Sequence, residues 1–178
     1  MAELLVYSLL LSGVLIIVGA LLINSLRTQD QVSTVTQAST AGQLAARSIE
    51  TGIRNSSTFK LSTVNGSDQV LIARVSDASG TWTCQAWYYS NANNSIRYMD
   101  STLAITSSEW STVNLAQWRL LTEGVLPVEG AAATAPIFAE SGTKITLGFR
   151  VDAGDNAPAL ISSSASRRLT QGSTQCFT

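Results

Sequence analysis

The sequence predicts an α+β fold: one long N-terminal helix, apolar in its first half and amphipathic in its second, packed on a C-terminal antiparallel β-sheet domain. Three observations predict it. Residues 4–23 carry no charge. From Val32 to Ile53 apolar residues return at three- and four-residue steps, with no proline up to Arg54. After Asn55 the period changes, and β-branched and aromatic runs alternate with turns rich in Gly, Asn and Asp.

The first half has the length of a membrane span. At 1.5 Å per residue, about 20 helical residues cover roughly 30 Å, the hydrocarbon thickness of a bilayer. A helix can cross as a single segment because it satisfies every backbone N–H and C=O internally. Polarity changes abruptly at Asn24, Ser25, Arg27 and Asp30, and Glu3 stands at the opposite edge of the run. A secretory signal peptide has a basic start and a shorter apolar core. A plain signal anchor explains the apolar run but gives Glu3 no role. Tyr7 reads as an interfacial anchor. Gly13 and Gly19, with Ala20, are small spots in the apolar half. They suit either ordinary packing of membrane helices or a locally weak helix that melts or stretches in a fibre, and both readings stay open.

The second half continues the helix to Arg54. Val32, Val35, Ala38, Ser39, Gly42, Ala45, Ala46, Ile49 and Ile53 mark one modest apolar face. Asn55-Ser56-Ser57 ends the pattern. Strands are then expected at 69–75, at 81–89 and, across an Asn-rich turn, at 95–99. A short helix is expected over 108–117, and a hairpin joins 137–139 to 144–151. The tail from Asp152 reads as loop-rich until Arg167-Arg168-Leu169. Trp82, Trp87, Tyr88 and Tyr89 alternate in face, so one set is expected in the core and the other exposed or under a neighbouring subunit.

Composition narrows the chemistry. Net charge is −1 and only 13% of residues are charged, with no basic cluster that would favour nucleic acid. The chain has no histidine, which removes the commonest general base, Ser-His triads and most zinc sites. Gly-rich phosphate loops and the Gly-x-Ser-x-Gly nucleophile motif are absent. No enzyme, cofactor or metal is therefore expected. Asp152-Ala153-Gly154-Asp155-Asn156 alternates oxygen ligands but lacks EF-hand spacing, so a solvated turn is the expectation. Cys84 and Cys176, far apart in a domain outside the membrane, read as one disulfide rather than two buried thiols. It would close a loop of about 90 residues, an effect of roughly 4–5 kcal/mol in the chain-entropy model.

An acidic residue near the start, an unbroken apolar run and an amphipathic helical continuation together resemble the type IV pilin and pseudopilin superfamily. The string Ala2-Glu3-Leu4-Leu5-Val6 is similar to that family's Glu-Leu-Leu-Val core. In the sheet region, Trp87-Tyr88-Tyr89, Ile96-Arg97-Tyr98, Trp118-Arg119-Leu120-Leu121-Thr122-Glu123-Gly124-Val125 and Ile145-Thr146-Leu147-Gly148-Phe149 resemble larger minor pilins and J-type pseudopilins. The family's glutamate is the fifth residue of the mature chain and here it is the third. Either Met1 is a start, or two residues and a leader precede this sequence; the resemblance favours the latter.

The resemblance implies a lollipop-shaped, non-enzymatic subunit. Residues 1–26 form the transmembrane and filament-core helix, 27–54 its amphipathic continuation and 55–178 the sheet domain. Leu4, Leu5, Val6, Leu9, Leu10, Val14, Ile17 and Leu21 pack the filament core. Glu3 pairs with the N-terminal amine of a neighbouring subunit and sets axial register. The implied partners are other pilin subunits, a prepilin peptidase and an assembly machinery with its own ATPase. The implied location is a bacterial inner membrane before assembly and an extracellular surface filament afterwards. Motility, adhesion, DNA uptake and secretion share this design, so major pilin, minor pilin and secretion pseudopilin stay open. The reading of another class is a single-pass anchored binding or adhesin module.

Overall fold

The computed structural model describes residues 2–76, 80–106, 115–128, 132, 135–168 and 175–177. Helix α1 runs unbroken over Ala2–Arg54, 53 residues. At 1.5 Å per residue that is about 80 Å. It stops where Asn55 still donates to Thr51 O at 3.1 Å and Ser56 Oγ donates to Ile53 O at 2.7 Å. In its last turns Arg54 pairs with Glu50 at 3.0 Å, one turn apart on the helix. Glu50 also accepts a hydrogen bond from Ser163.

Among the described residues nine strands follow, and the expected antiparallel β domain is built of two sheets. The first sheet has the order β1-β2-β3-β4-β5, with β1 Ser56–Val64, β2 Asp68–Ser76, β3 Trp82–Ser90, β4 Ser95–Ser101 and β5 Arg119–Glu123. The second comprises β6 Val125–Pro127, β7 Phe138–Ser141, β8 Lys144–Ala153 and β9 Asn156–Ser166. Here β8 is central. β9 pairs along its whole length, while β6 and β7 share its other side. The chain steps between sheets at Gly124, whose φ of +68° is open to glycine at no steric cost. Its carbonyl accepts from Asp152 N at 2.8 Å, and Val125 N donates to Asn94 O at 2.7 Å.

The sheets and helix share one core. Ile49 and Ile53 of α1, Leu71 of β2, Trp87 and Tyr89 of β3, and Ile145, Leu147 and Phe149 of β8 are fully buried together. β8 alternates strictly, with Ile145, Leu147, Phe149, Val151 and Ala153 inward. Two glycines let the helix close onto the sheets. A Cβ on Gly52 would stand 2.1 Å from Trp87 Cη2, and one on Gly42 would stand 2.8 Å from Val151 and Ile161. The Trp87 indole N–H donates to Ser48 Oγ at 3.1 Å, which fixes the ring under the helix. Gln69, buried on β2, sews the sheets together. Its Oε1 accepts from Ile137 N at 2.7 Å and Phe138 N at 2.9 Å, and its Nε2 donates to Phe138 O at 2.9 Å.

Several expectations are corrected. The tail after Asp152 is not loop-rich: it contains β9, 11 residues long. Its Ala- and Ser-rich sequence has little intrinsic β preference, and it is a strand because Ile161 and Ala165 pack under α1. β1 was likewise not legible after the helix end. The short helix expected over 108–117 falls largely outside the described residues; only a 3₁₀ turn, Leu115–Gln117, lies within them. The aromatic run is not half exposed. Trp87 and Tyr89 face the helix, while Tyr88 lies in a second core on the opposite face. Val32, on the expected apolar face, is 60% exposed, because α1 meets the head only beyond it.

Gly52→Ala tests the helix closure. In an exposed helix the change gains about 1 kcal/mol. Here the Trp87 clash reverses the sign, and a net loss of about 1–2 kcal/mol is expected. Gly19→Ala, with nothing within 4 Å, leaves the head's melting temperature unchanged. Thermal melts followed by tryptophan fluorescence check both.

Candidate functional site

The N-terminal half of α1 is the most unusual surface of the molecule. Val6, Leu9, Leu10, Val14, Ile17 and Leu21 are 56–75% exposed, and Leu11, Leu15, Ile16, Val18, Leu22 and Ile23 are exposed too. The helix is apolar on every side here, a pattern found in membrane spans and buried core helices. It is long and apolar enough to cross a membrane, and none of its span is buried against the head. Each such side chain gains about 1.5–3 kcal/mol when it leaves water, so the bare half demands an apolar partner.

Polar side chains on this half are satisfied locally. Ser12 Oγ donates to Ser8 O at 2.8 Å and Thr28 Oγ1 to Asn24 O at 3.0 Å. A hydroxyl bonded to the carbonyl one turn back enters hydrocarbon without an unpaired donor. Glu3 lies exposed in the first helical turn, beside the unpaired N–H groups of the helix start. A carboxylate there is stabilised by the helix dipole. Leu4 and Leu5 lie on the same helix, with side chains outside the described residues. Gly13 and Gly19 sit in regular helix with open space around them.

Cys84 and Cys176 form the expected disulfide, with Cα atoms 5.4 Å apart. Its place explains the second core. Cys84 lies on the face of β3 turned away from the helix, among Val70, Ile72, Ala86 and Tyr88. Ile105, Leu115 and Trp118 cover part of that face, and the disulfide brings Cys176 and Phe177 over the rest. Trp118 meets the Tyr88 ring edge-on at 5.9 Å. Arg97 reaches the cover by donating to the carbonyls of Leu115 and Trp118, each at 3.4 Å. Under this cover the Tyr88 hydroxyl donates to Asp68 Oδ2 at 2.5 Å, and Asn91 N donates to Asp68 Oδ1 at 2.7 Å.

The Asp152-to-Asn156 stretch is the turn between β8 and β9. Asp152 Oδ1 accepts from Gly154 N at 3.1 Å, the geometry of an Asx turn. Among the described residues no three His, Cys, Asp or Glu side chains gather as a metal site. Gln69, Gly52 and Asp68 were not legible as structural keys. Gln69 and Asp68 lie at the start of an ordinary strand pattern, and their partners are distant in sequence.

Two outcomes follow from the second core. Burial, aided by the Asp68 carboxylate, pushes the Tyr88 phenol up to about 12. An unfolded tyrosine titrates near 10. Stability is therefore fully present below pH 10 and lost as pH rises toward 12, by about 2–3 kcal/mol. Burial also raises Tyr89 and Tyr98, in the same direction. Urea unfolding at pH 8, 10 and 11.5 should show this slope, flatter in Tyr88→Phe. Reducing the disulfide should cost about 2–5 kcal/mol, read as a fall in urea midpoint at pH 8. Comparison with protein-family models, curated proteins and solved structures finds no match to this chain.

Proposed function

We propose that the chain is a structural subunit of an extracellular, type IV pilus-like filament. The observation that carries this reading is the division of α1. Its C-terminal half packs into the core of the head, whereas its N-terminal half is apolar all round and is not buried against any of the described residues. Lipid satisfies the bare half before assembly. Parallel helices of neighbouring subunits satisfy it afterwards, with Leu4, Leu5, Val6, Leu9, Leu10, Val14, Ile17 and Leu21 in the filament core.

Glu3 gives this packing its register. A carboxylate moved from water into a helix bundle needs a cation beside it, because an unpaired charge in apolar surroundings costs several kcal/mol. The N-terminal ammonium of an adjacent subunit is the cation that a parallel array brings to that level. The bare helix also suits a single-pass anchored binding module, and that reading leaves Glu3 without a task.

Sheared surface fractions, imaged by negative stain and probed with antibody to the head, test the proposal. The chain is expected in fibres; recovery only in detergent-extracted membrane decides for the anchored module. Glu3→Ala is expected to reach the membrane at normal level yet lower its fibre content by about 100-fold or more, the scale of the roughly 3–5 kcal/mol lost when one partner of a buried charge pair is removed. Normal incorporation of Glu3→Ala would remove the charge-pairing step.

A further inference from the structure

A groove of about 460 Å³ opens between α1 and the first sheet; Arg47 and Thr51 also border the neighbouring recess that holds Glu50. Arg47 and Thr51 of the helix and Asn55 just beyond it face Thr83, Gln85 and Arg119 across it, and among the described residues no carboxylate lines it. The Arg119 guanidinium sits 5.2 Å over the Tyr98 ring, which holds it extended along the groove wall. Both arginines are exposed, and neither pairs with a carboxylate among the described residues. Arg54, by contrast, is neutralised by Glu50. The groove is thus a cationic recess edged with neutral hydrogen-bonding side chains.

The head carries a complementary projection. The hydrogen bond from Asp152 N to Gly124 O brings Glu123 beside the β8–β9 turn. Glu123, Asp152 and Asp155 are exposed there, with no cation paired to them among the described residues. Groove and projection lie at different heights. Ile161 meets the helix at Gly42 and Ser163 meets it at Glu50, so β9 climbs with the helix. The turn that precedes β9 therefore lies on the stem side of Gly42, while the groove spans the level of Leu44 to Asn55, with Thr51 near its middle. From Gly42 to the middle of the groove at Thr51 is nine helical residues, so turn and groove centre are about 15 Å or more apart.

We propose that the arginine groove receives the acidic β8–β9 turn of a second copy, displaced toward the head by that distance along a parallel helix direction. The inference rests on the filament reading and adds to it a head-to-head contact. Charge complementarity chooses the occupant: among the described residues the recess has two guanidinium groups without a paired carboxylate, and the projection of the same chain has three carboxylates without a paired cation. Because projection and groove are different surfaces at different heights, the contact is heterologous and propagates along a fibre instead of closing a dimer. Contacts of this kind set partner choice and register more than raw affinity, and salt weakens them.

Charge reversal in the full-length chain tests it. Arg47→Glu with Arg119→Glu is expected to lower sheared fibre yield about 10-fold or more, and Asp152→Arg with Asp155→Arg to do the same. Combining the four changes is expected to restore yield to within about 3-fold of the parent chain. Membrane level and non-reducing gel mobility show that each variant folds. A second measurement leaves the charges largely in place: Thr51→Cys with Asp155→Cys should give intermolecular disulfide ladders in fibres and none in the membrane pool. Normal fibres from the charge-reversed chains, or fibres without ladders, overturn the groove contact and leave the filament standing. Absence of fibres from the parent chain overturns both.

Discussion

Ile49 and Ile53 lie fully buried between two sheets that no continuous strand ladder joins. The helix is therefore the surface on which the head is assembled. Without it, Trp87 and Tyr89 of the first sheet and Leu147 and Phe149 of the second would lose their shared floor. The side-chain clasp of Gln69 and the backbone step at Gly124 then only align sheets that the helix already holds. This explains why glycine occupies positions 42 and 52. Close approach there leaves no room for a methyl group, and it sets both the depth and the rotation of the helix against the sheets.

Legibility followed from how local each signal was. The helix was readable over its whole length, since the first half is an uncharged run of membrane-span length, the second repeats at helical period, and no proline interrupts them. β2, β3 and β4 were readable within one or two residues, because β-branched and aromatic runs end in turns such as Asn91 to Asn94, where Asn94 has a φ of +46°. The disulfide was readable from cysteine count and context. β9 was not. Its runs of Ser and Ala carry no apolar alternation strong enough to see, and α1, more than 100 residues earlier in the sequence, makes it a strand. The bare apolar surface was legible from residues 4–23. The arginine groove was not, since Arg47 and Arg119 meet only after the first sheet folds under the helix.

The second core shows what the disulfide adds. A sheet packed on one face by a helix can leave its other face to water. Here that other face carries Val70, Ile72, Ala86 and Tyr88, too apolar to stay open. The cover has little regular structure among the described residues: a 3₁₀ turn and chain ends. Such segments bury few backbone hydrogen bonds of their own, so they need an anchor. Arg97 supplies one by capping the carbonyls of Leu115 and Trp118, and Cys176 supplies the other by a covalent link to Cys84. The Asp68–Tyr88–Asn91 hydrogen bonds lie beneath, where water exclusion strengthens them.

The two halves of α1 therefore answer to different demands through one rigid element. The bare half is not buried against the described residues of the head, so their packing does not depend on whether that half lies in lipid or among other helices. An unbroken helix nevertheless transmits position. Its register against the sheets is set at Gly42 and Gly52, and its rise per residue carries that register down to Glu3. Any partner that fixes the height of Glu3 thereby fixes the heights of the arginine groove and of the acidic turn. In the proposed filament, charge at the foot of the helix and charge on the head would then be two readings of a single axial displacement. An array satisfies both only if its neighbours are offset by the same distance at each end.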